Sequence, residues 1–271
     1  MKRPDIKKLE KDAKDLRRQI LTMLSEAASG HTGSSLSCVE VILALYTYKL
    51  RYDVKKPRWE GRDRFILSKG HSCPTLYATL ANMGFFPKKE LKSLRKLGTL
   101  LQGHPQLGLA GLDASTGSLG QGLSIANGMA LSAKLDKKDL RVYCMMGDGE
   151  TNEGQVWEAA MTAAHYNLDN LCAIIDYNKL QIDGFLCDVK DVLSLDEKWQ
   201  AFGWHVIEID GHNFTEIMDA FDKAETIKDK PTIIVAHTVK GKGVSFVENK
   251  ARWHGIAPKP DELKRALKEL E

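Results

Sequence analysis

The chain has 271 residues, of which 43% are hydrophobic and 28% charged, and its formal net charge is +3. This length and composition predict one large α/β domain with a substantial core and argue against a disordered chain. Acidic residues are interspersed among the basic ones, so the basic clusters at 55–64 and 88–96 indicate a solvated surface and not a nucleic-acid site.

The first residues lack the apolar segment of a secretory signal, and no run of residues is long and apolar enough for a membrane helix. The five cysteines form no Cys-x-x-Cys pair, and Cys144 and Cys172 fall in apolar stretches that predict buried strands. We therefore expect reduced core cysteines, no membrane partner and a cytoplasmic location.

The first part of the chain predicts helices around one short strand. Apolar residues recur at helical spacing over 5–29. Ser37 and Glu40 have the spacing of a capping box, which predicts the start of a second helix that continues to residue 48. A buried strand is predicted at 65–67 and helices at 74–82 and 88–96. Residues 100–115 lack regular periodicity, and loops of this length are usually functional.

The centre of the chain predicts a strand, a helix and a second strand. Residues 142–146 are uniformly apolar and too few for a helix, which is typical of a parallel strand covered on both faces. A helix follows from residue 153, with Asn152 as its expected N-cap, and 171–175 is the next strand. Ligands of such crossover units gather at the carboxyl ends of the strands, so Asp148 and Asn178 should lie at the same edge.

These strand ends carry the residue types of a diphosphate and metal site. Asp148, Asn178 and the main-chain carbonyl of Leu180 offer three hard oxygen donors, which suit Mg²⁺ or Ca²⁺. Gly149 has no side chain to keep a phosphate from the backbone, so its N–H could donate to one. An isolated Gly-Asp-Gly is more often a simple turn, and only the rest of the chain can decide between these readings.

The last third of the chain completes the sheet. Strands are predicted at 205–209 and 232–236, with helices at 214–227 and from 261 to the end. Five strands that alternate with helices predict a doubly wound, mostly parallel α/β sheet with helices on both faces. The glycines at 117–122 do not fit Gly-x-Gly-x-x-Gly, and no Walker-type lysine motif occurs, which argues against a dinucleotide or P-loop site.

The motifs of this chain resemble those of the transketolase family, and they occur in that family's order. Gly147-Asp148-Gly149, followed by Asn178 thirty positions after Asp148, resembles the thiamine diphosphate signature. The other similar blocks are Ser29-Gly30-His31-Thr32-Gly33, Leu67-Ser68-Lys69-Gly70-His71, Gly103-His104-Pro105, Ser115-Thr116-Gly117-Ser118-Leu119-Gly120-Gln121-Gly122 and Trp253-His254-Gly255. The resemblance implies the thiamine diphosphate-binding fold, as a single diphosphate-binding domain over 1–271, with thiamine diphosphate and Mg²⁺ or Ca²⁺ as cofactors.

The resemblance also implies roles for individual residues. His71 would help hold the diphosphate, and Gly117, Ser118 and Leu119 would contact the aminopyrimidine end of the cofactor. His31 and His104 would face the substrate, while His254 would face both substrate and diphosphate. Glu153 matches an acid at a subunit interface, although a carboxylate favoured by a helix N-terminus is an equal alternative. Ser118 and Thr32 stand where many members of the family have proline.

The activity implied is transfer of a two-carbon ketol unit from a ketose phosphate to an aldose phosphate. Single-chain transketolases carry a second, pyrimidine-binding domain after the one resembled here, so the resemblance implies a separately encoded C-terminal subunit in an assembly of two copies of each chain. Two alternatives remain open at this stage. The run 240–243 also resembles 1-deoxyxylulose-5-phosphate synthase, and a non-catalytic module that binds thiamine diphosphate or a protein partner would carry the same cofactor motif.

Overall fold

A five-stranded parallel sheet forms the centre of the structure, a computed structural model that describes residues 2–271. The strands in chain order are β1 (Arg64–Leu67), β2 (Val142–Gly147), β3 (Leu171–Tyr177), the short hairpin strands β4 (Leu180–Gln181) and β5 (Gly184–Phe185), β6 (His205–Asp210) and β7 (Thr232–His237). The sheet order is β1-β2-β3-β7-β6, with every pairing parallel, and β4 pairs only with β5. This confirms the predicted doubly wound parallel class.

Helices cover both faces of the sheet. They are α1 (Ile6–Ala27), α2 (Thr32–Ser37), α3 (Val39–Ala44), α4 (Cys73–Met83), α5 (Gln121–Leu135), α6 (Gly154–His165), α7 (Leu186–Val189), α8 (Leu195–Ala201), α9 (Phe214–Thr226) and α10 (Pro260–Glu269). Alternate strand residues point to opposite faces. Met145 of β2 packs in one core with α1, α3, α4, α9 and α10, whereas Cys144 packs in a second core with α5, α6 and α8. Both faces are therefore filled, which leaves the strand ends for a ligand.

The predicted capping box at Ser37 and Glu40 is wrong. Helix α2 ends at Ser37, α3 begins at Val39, and a π-helical turn over Leu45–Lys49 follows. The Ser37 hydroxyl donates to Asp176 Oδ2 at 2.6 Å, and the Glu40 carboxylate pairs with Arg17. Tertiary partners have taken the side chains that the local pattern assigned to a helix end.

Three other expectations also differ from the structure. The predicted helix at 88–96 is a 3₁₀ turn over Lys88–Ser93. Asn152 does not cap α6, because Gly149–Asn152 forms a 3₁₀ turn and Glu153 occupies the N-cap position. Cys187 is exposed, whereas the other four cysteines are buried, and all five are free thiols. No helix within residues 2–271 is long and apolar enough to cross a membrane.

Candidate active site

A cavity of about 310 Å³ opens at the carboxyl edge of the sheet. The segments that follow β1, β2, β3 and β7 all contribute to its wall. It is lined by every predicted site residue except Ser118, namely His31, His71, His104, Gly117, Leu119, Asp148, Gly149, Glu153, Asn178, Leu180 and His254. Ser118 is exposed and lies outside the lining, although its neighbours Gly117 and Leu119 belong to it.

The predicted cation ligands lie together at one end of this cavity. Asp148 is buried, and its two oxygens accept hydrogen bonds from the main-chain N–H groups of Gly149 at 2.8 Å and Lys179 at 2.6 Å. The side-chain oxygen of Asn178 accepts from the N–H of Leu180 at 3.2 Å. Burial, reinforced by the nearby Asp176 carboxylate, raises the pKa of Asp148 to about 7. A cation beside Asp148 would offset the unfavourable burial of its charge.

Gly149 makes a local hydrogen bond that the sequence did not predict. Its N–H, expected to donate to a phosphate, donates to Asp148 in this structure. A Cβ atom at Gly149 would stand 2.9 Å from Cγ of Gln181. Glycine therefore permits the close approach of the β4–β5 hairpin to the strand end, and this approach closes one wall of the cavity.

A buried ion pair that was not predicted underlies the cation end. Asp176, the penultimate residue of β3, accepts hydrogen bonds from Lys69 Nζ, from Ser37, from Asn178 Nδ2 at 3.1 Å and from Thr238 Oγ1 at 2.5 Å. Burial alone would raise the pKa of Asp176, but the Lys69 ammonium outweighs it and holds this pKa below its usual value. Lys69 lies inside one of the family-like motifs, which was the available signal for it.

Glu150 is a second buried carboxylate that sequence reasoning missed. One of its oxygens accepts from the Ser68 hydroxyl and from the N–H of Gly120 at 2.9 Å, and the other accepts from the N–H of Gly147 at 3.0 Å. Burial raises the pKa of Glu150. This single side chain ties the ends of β1 and β2 to the loop before α5. Its position next to Gly147-Asp148-Gly149 was the only sequence signal.

Three histidines form a cluster at the other end of the cavity. The ring centroids of His31 and His71 are 5.0 Å apart, those of His31 and His254 are 5.3 Å apart, and those of His71 and His254 are 5.6 Å apart. Burial, with positive neighbours, lowers the pKa of His31 to about 4 and that of His254 to about 3, and it lowers the pKa of His71 well below its usual range. All three rings are therefore neutral at pH 7, and each can both donate and accept a hydrogen bond.

His104 joins this cluster through the irregular 100–115 loop. Its main-chain carbonyl accepts from the hydroxyl of Tyr77 at 3.0 Å. Burial, followed by the charge of Arg95, lowers the pKa of His104. Gly117 has φ +150°, and a Cβ there would stand 3.0 Å from Cδ2 of His104. A side chain at this glycine would therefore displace the imidazole.

Lys240 also lines the cavity, although sequence reasoning gave it no role at the site. It is 1% exposed, and its ammonium donates to the carbonyl of Leu180 at 3.2 Å and lies 2.9 Å from Nδ1 of His254. Burial lowers the pKa of Lys240 to about 8. The side chain therefore connects the cation end of the cavity with the histidine end.

Glu153 occupies the rim of the cavity. It is exposed at the N-cap of α6, and its side chain makes no capping hydrogen bond. A Cβ at Gly120 would stand 2.8 Å from the Cβ of Glu153, so the loop before α5 packs closely against this residue. The side chain is therefore accessible to solvent while its backbone is held in place.

Comparison with known proteins agrees with this geometry. Residues 10–270 match the family described as transketolase, thiamine diphosphate binding domain. The chain belongs to the transketolase family. The 6-deoxy-6-sulfo-D-fructose transketolase subunit SqwG of Clostridium sp. (strain MSTE9) is 45% identical to this transketolase chain over 264 residues, which are 97% of the chain and 96% of that protein. A subunit of the apulose-4-phosphate transketolase of Phocaeicola vulgatus is 41% identical over 98% of the chain and 94% of that protein.

Longer transketolases are also similar over nearly all of this chain. The Homo sapiens transketolase is 46% identical over 259 residues, which are 93% of this chain but 41% of that protein. The crystal structure of Campylobacter jejuni transketolase superposes with a TM-score of 0.92 at 31% identity and covers 98% of this chain and 43% of that one. These relatives favour a transketolase subunit over the synthase and binding-module alternatives.

Proposed function

We propose that this chain is the diphosphate-binding subunit of a transketolase that transfers a two-carbon ketol unit from a ketose phosphate to an aldose phosphate. One observation carries the proposal: a single cavity joins a set of hard oxygen donors to a cluster of neutral histidines. The first suits a cation and a diphosphate, and the second suits a polar substrate whose hydroxyl and carbonyl groups exchange protons.

Asp148, Asn178 and the Leu180 carbonyl would hold Mg²⁺ or Ca²⁺. The donor set fits a hard divalent cation, and the buried Asp148 carboxylate has main-chain N–H partners but no ion-pair partner within residues 2–271. In that part of the chain, no group of three or more His, Cys, Asp or Glu side chains could hold a metal by itself. The site therefore needs diphosphate oxygens or water to complete the shell.

Thiamine diphosphate, when bound, supplies a carbon centre that accepts negative charge from the substrate. His71 and His254 would hold the diphosphate, while Gly117 and Leu119 would lie against the aminopyrimidine end, with Ser118 at the exposed edge. Lys69, which is committed to Asp176, keeps positive charge beneath the cation end. The chain thus supplies orientation and charge compensation around a group that carries the chemistry.

His31, His104 and His254 would move or hold protons on the substrate. Because their pKa values are lowered, these side chains are neutral at pH 7. His31 and His104 each have an unprotonated nitrogen that can accept from a sugar hydroxyl, whereas Nδ1 of His254 accepts from the Lys240 ammonium and leaves Nε2–H to donate. Nδ1 of His31 is buried and has no hydrogen-bond partner within the described residues. An unsatisfied buried nitrogen of this kind supports a substrate contact at His31.

The proposed partner is a separately encoded C-terminal subunit that binds the pyrimidine ring, in an assembly of two copies of each chain. Support comes from the two relatives that are themselves named as subunits, which match over 96% and 94% of their own length. The exposed position of Glu153 at the cavity rim supports a role for this carboxylate at the interface. We place the activity in the cytoplasm and assign it to the pentose phosphate pathway.

Transketolase activity of the purified chain, measured alone and after mixing with the candidate partner, tests this proposal. Activity that appears only after mixing supports it, and full activity of the chain alone contradicts the need for a partner. Xylulose 5-phosphate and pyruvate are compared as donors in the same assay. Turnover of pyruvate would favour the synthase alternative, and cofactor binding without turnover of either donor would favour a binding module.

A further inference from the structure

A hydrogen-bonded network of three buried polar side chains lies outside the lining of the cavity and has no part in the function described so far. It consists of Arg17 on α1, Glu40 on α3 and His212, which follows β6. Nη2 of Arg17 lies 2.7 and 2.8 Å from the two carboxylate oxygens of Glu40, and Nδ1 of His212 lies 3.0 Å from Oε2 of the same carboxylate. Arg17 is 5% and Glu40 6% exposed, so these charges are removed from water.

The two ends of this network, Arg17 and His212, bind one loop, 238–243. The N–H of Val239 donates to Nε2 of His212 at 2.8 Å, and Nε of Arg17 donates to the carbonyl of Lys242 at 2.8 Å. A main-chain N–H can only donate, so Nε2 of His212 is the acceptor and the ring proton resides on Nδ1, where it points to Glu40. The carboxylate thus fixes the tautomer that the loop requires.

Lys240 lies between these two attachment points. Its ammonium reaches into the cavity to Leu180 and His254, while its loop is further held by a bond from the N–H of Gly241 to the carbonyl of Gly33 at 2.9 Å. Lys240 is unbranched and flexible, so the position of its ammonium depends on where the loop backbone is held. Arg17 and His212, which do not line the cavity, hold the loop backbone on either side of Lys240.

The cost of burying this ion pair supports a role beyond stability. Apolar side chains of similar volume often stabilise a fold as well as a buried ion pair does, because they avoid the desolvation of two charges. Burial would raise the pKa of the Glu40 carboxyl, yet Arg17 and His212 outweigh it and hold this pKa below its usual value. The carboxylate is therefore kept charged, and it accepts the Nδ1 proton of His212, which stabilises that tautomer.

We propose that Arg17, Glu40 and His212 are positioning residues that hold loop 238–243 so that Lys240 stays beside His254 and Leu180. They act through Lys240 and touch no ligand. The proposal rests on the proposed function in one respect, namely that the site at which Lys240 is held binds thiamine diphosphate. The positioning itself can be measured without cofactor.

The first experiment is amide hydrogen exchange in the cofactor-free chain. His212→Phe keeps the ring volume but removes both hydrogen bonds, whereas the carboxamide of His212→Gln has an oxygen to accept from Val239 and an N–H to donate to Glu40. We expect exchange over 239–243 to become about tenfold faster in His212→Phe and to be restored in His212→Gln. Unchanged exchange in a folded His212→Phe would overturn the proposal.

A matched control and a substitute variant keep this experiment decisive. Lys49 is also buried and ion-paired, with Asp222 and Glu225 of α9, so Lys49→Met should lower stability without faster exchange over 239–243. Faster loop exchange in this control would show that any loss of stability loosens the loop. If His212→Phe does not fold, Glu40→Gln, which keeps the side-chain shape and removes its charge, takes its place with the same expected result.

The second experiment is a double-mutant cycle on affinity for thiamine diphosphate with Mg²⁺, measured by calorimetry on the chain assembled with its partner. We expect His212→Phe to weaken affinity about 10- to 100-fold in the wild-type background, the usual effect of losing an outer-shell partner. In a Lys240→Met background, the same change should weaken it less than about threefold. Equal losses in both backgrounds would show that His212 does not act through Lys240. Failure of the wild type to bind would contradict the proposed function. The exchange experiment would then still test whether His212 holds loop 238–243 in place.

Discussion

The two ends of the cavity are built in different ways. At the cation end, Asp148, Asp176 and Asn178 belong to two neighbouring strand ends, and their side chains have hydrogen-bond partners in the protein. At the histidine end, the rings come from segments far apart in the sequence. Nδ1 of His31 is buried there without a partner within residues 2–271.

This difference indicates what each end is prepared for. Oxygens that hydrogen bonds already hold in position need little reorganisation when an ion binds. Buried polar atoms without partners are uncommon in folded proteins, and one that lines a cavity can form a hydrogen bond with a ligand. The cation end should therefore control cofactor affinity, and His31 and His104, to which no diphosphate contact is assigned, should control turnover.

The largest effect is expected from removing the cation end. Asp148→Ala should abolish measurable binding of thiamine diphosphate with Mg²⁺, because loss of one partner of a buried charge pair costs about 3–5 kcal/mol. Calorimetry on the chain assembled with its partner measures this effect. Asp183→Ala, in the exposed turn between β4 and β5, is the control and should bind normally. Equal affinities of Asp148→Ala and the wild type would remove the cation site from this edge.

Substitution of His31 or His104 should change the kinetics and leave cofactor affinity unchanged. His31→Ala and His104→Ala should lower kcat or raise the donor KM while cofactor affinity stays nearly unchanged. The expected loss in kcat/KM is about 10²–10⁴-fold if the group transfers a proton, and less if it only binds. His71→Ala serves as the contrast, since it should weaken binding of the cofactor. A loss of cofactor affinity in His31→Ala as large as in Asp148→Ala would mean that the two ends are not separate.

The sequence predicted the residues of the cation end better than the buried side chains that hold them in place. Apolar runs that stop at Gly147 and before Asn178 determine both the strands and the edge at which they end, so a local pattern was enough. The histidines could be assigned only through the family resemblance, because residues 31, 71, 104 and 254 meet through packing and not through spacing. The five parallel strands were likewise predictable, since four are short apolar runs and the strand predicted at 205–209 alternates apolar and polar residues.

Residues whose partners are distant in the sequence could not be predicted. Ser37 and Glu40 fitted a local capping box, but tertiary hydrogen bonds to Asp176 and Arg17 overrode it. Glu150 sits in a glycine-rich turn, where an acidic residue is ordinarily solvated. Nothing in its neighbours shows that two other loops donate hydrogen bonds to it.

Glu150 and Glu153 give a direct test of this distinction, with an intermediate effect. Glu150→Gln should lower the free energy of unfolding by about 1–3 kcal/mol, because the new NH₂ group would face N–H donors where a carboxylate oxygen accepted them. Glu153→Gln should change stability little, since its side chain is exposed and makes no capping bond. Denaturant unfolding of the cofactor-free chain measures both. Equal stabilities of the two variants would show that Glu150 does not hold the loops together.

The smallest expected effect concerns the pH dependence of stability at the histidine end. The pKa of His31 is about 4 in the folded chain, below its ordinary value of 6.5, because burial disfavours the charged ring. Between these values the unfolded chain binds a proton that the folded chain does not, so stability should fall as pH falls from 6.5 towards 4. The full shift corresponds to about 3 kcal/mol, and partial exposure of the ring reduces the expected loss to about 1–2 kcal/mol.

His31→Gln should remove this part of the pH dependence. The free energy of unfolding of the cofactor-free chain, measured at about pH 7 and about pH 5, should differ less in the variant than in the wild type. His165→Gln, at the exposed end of α6, is the control and should leave the difference unchanged. The remaining slope in His31→Gln belongs to groups such as His254, whose pKa is lowered in the same direction. The same slope in His31→Gln and wild type would mean that burial of the His31 ring does not disfavour its charged form.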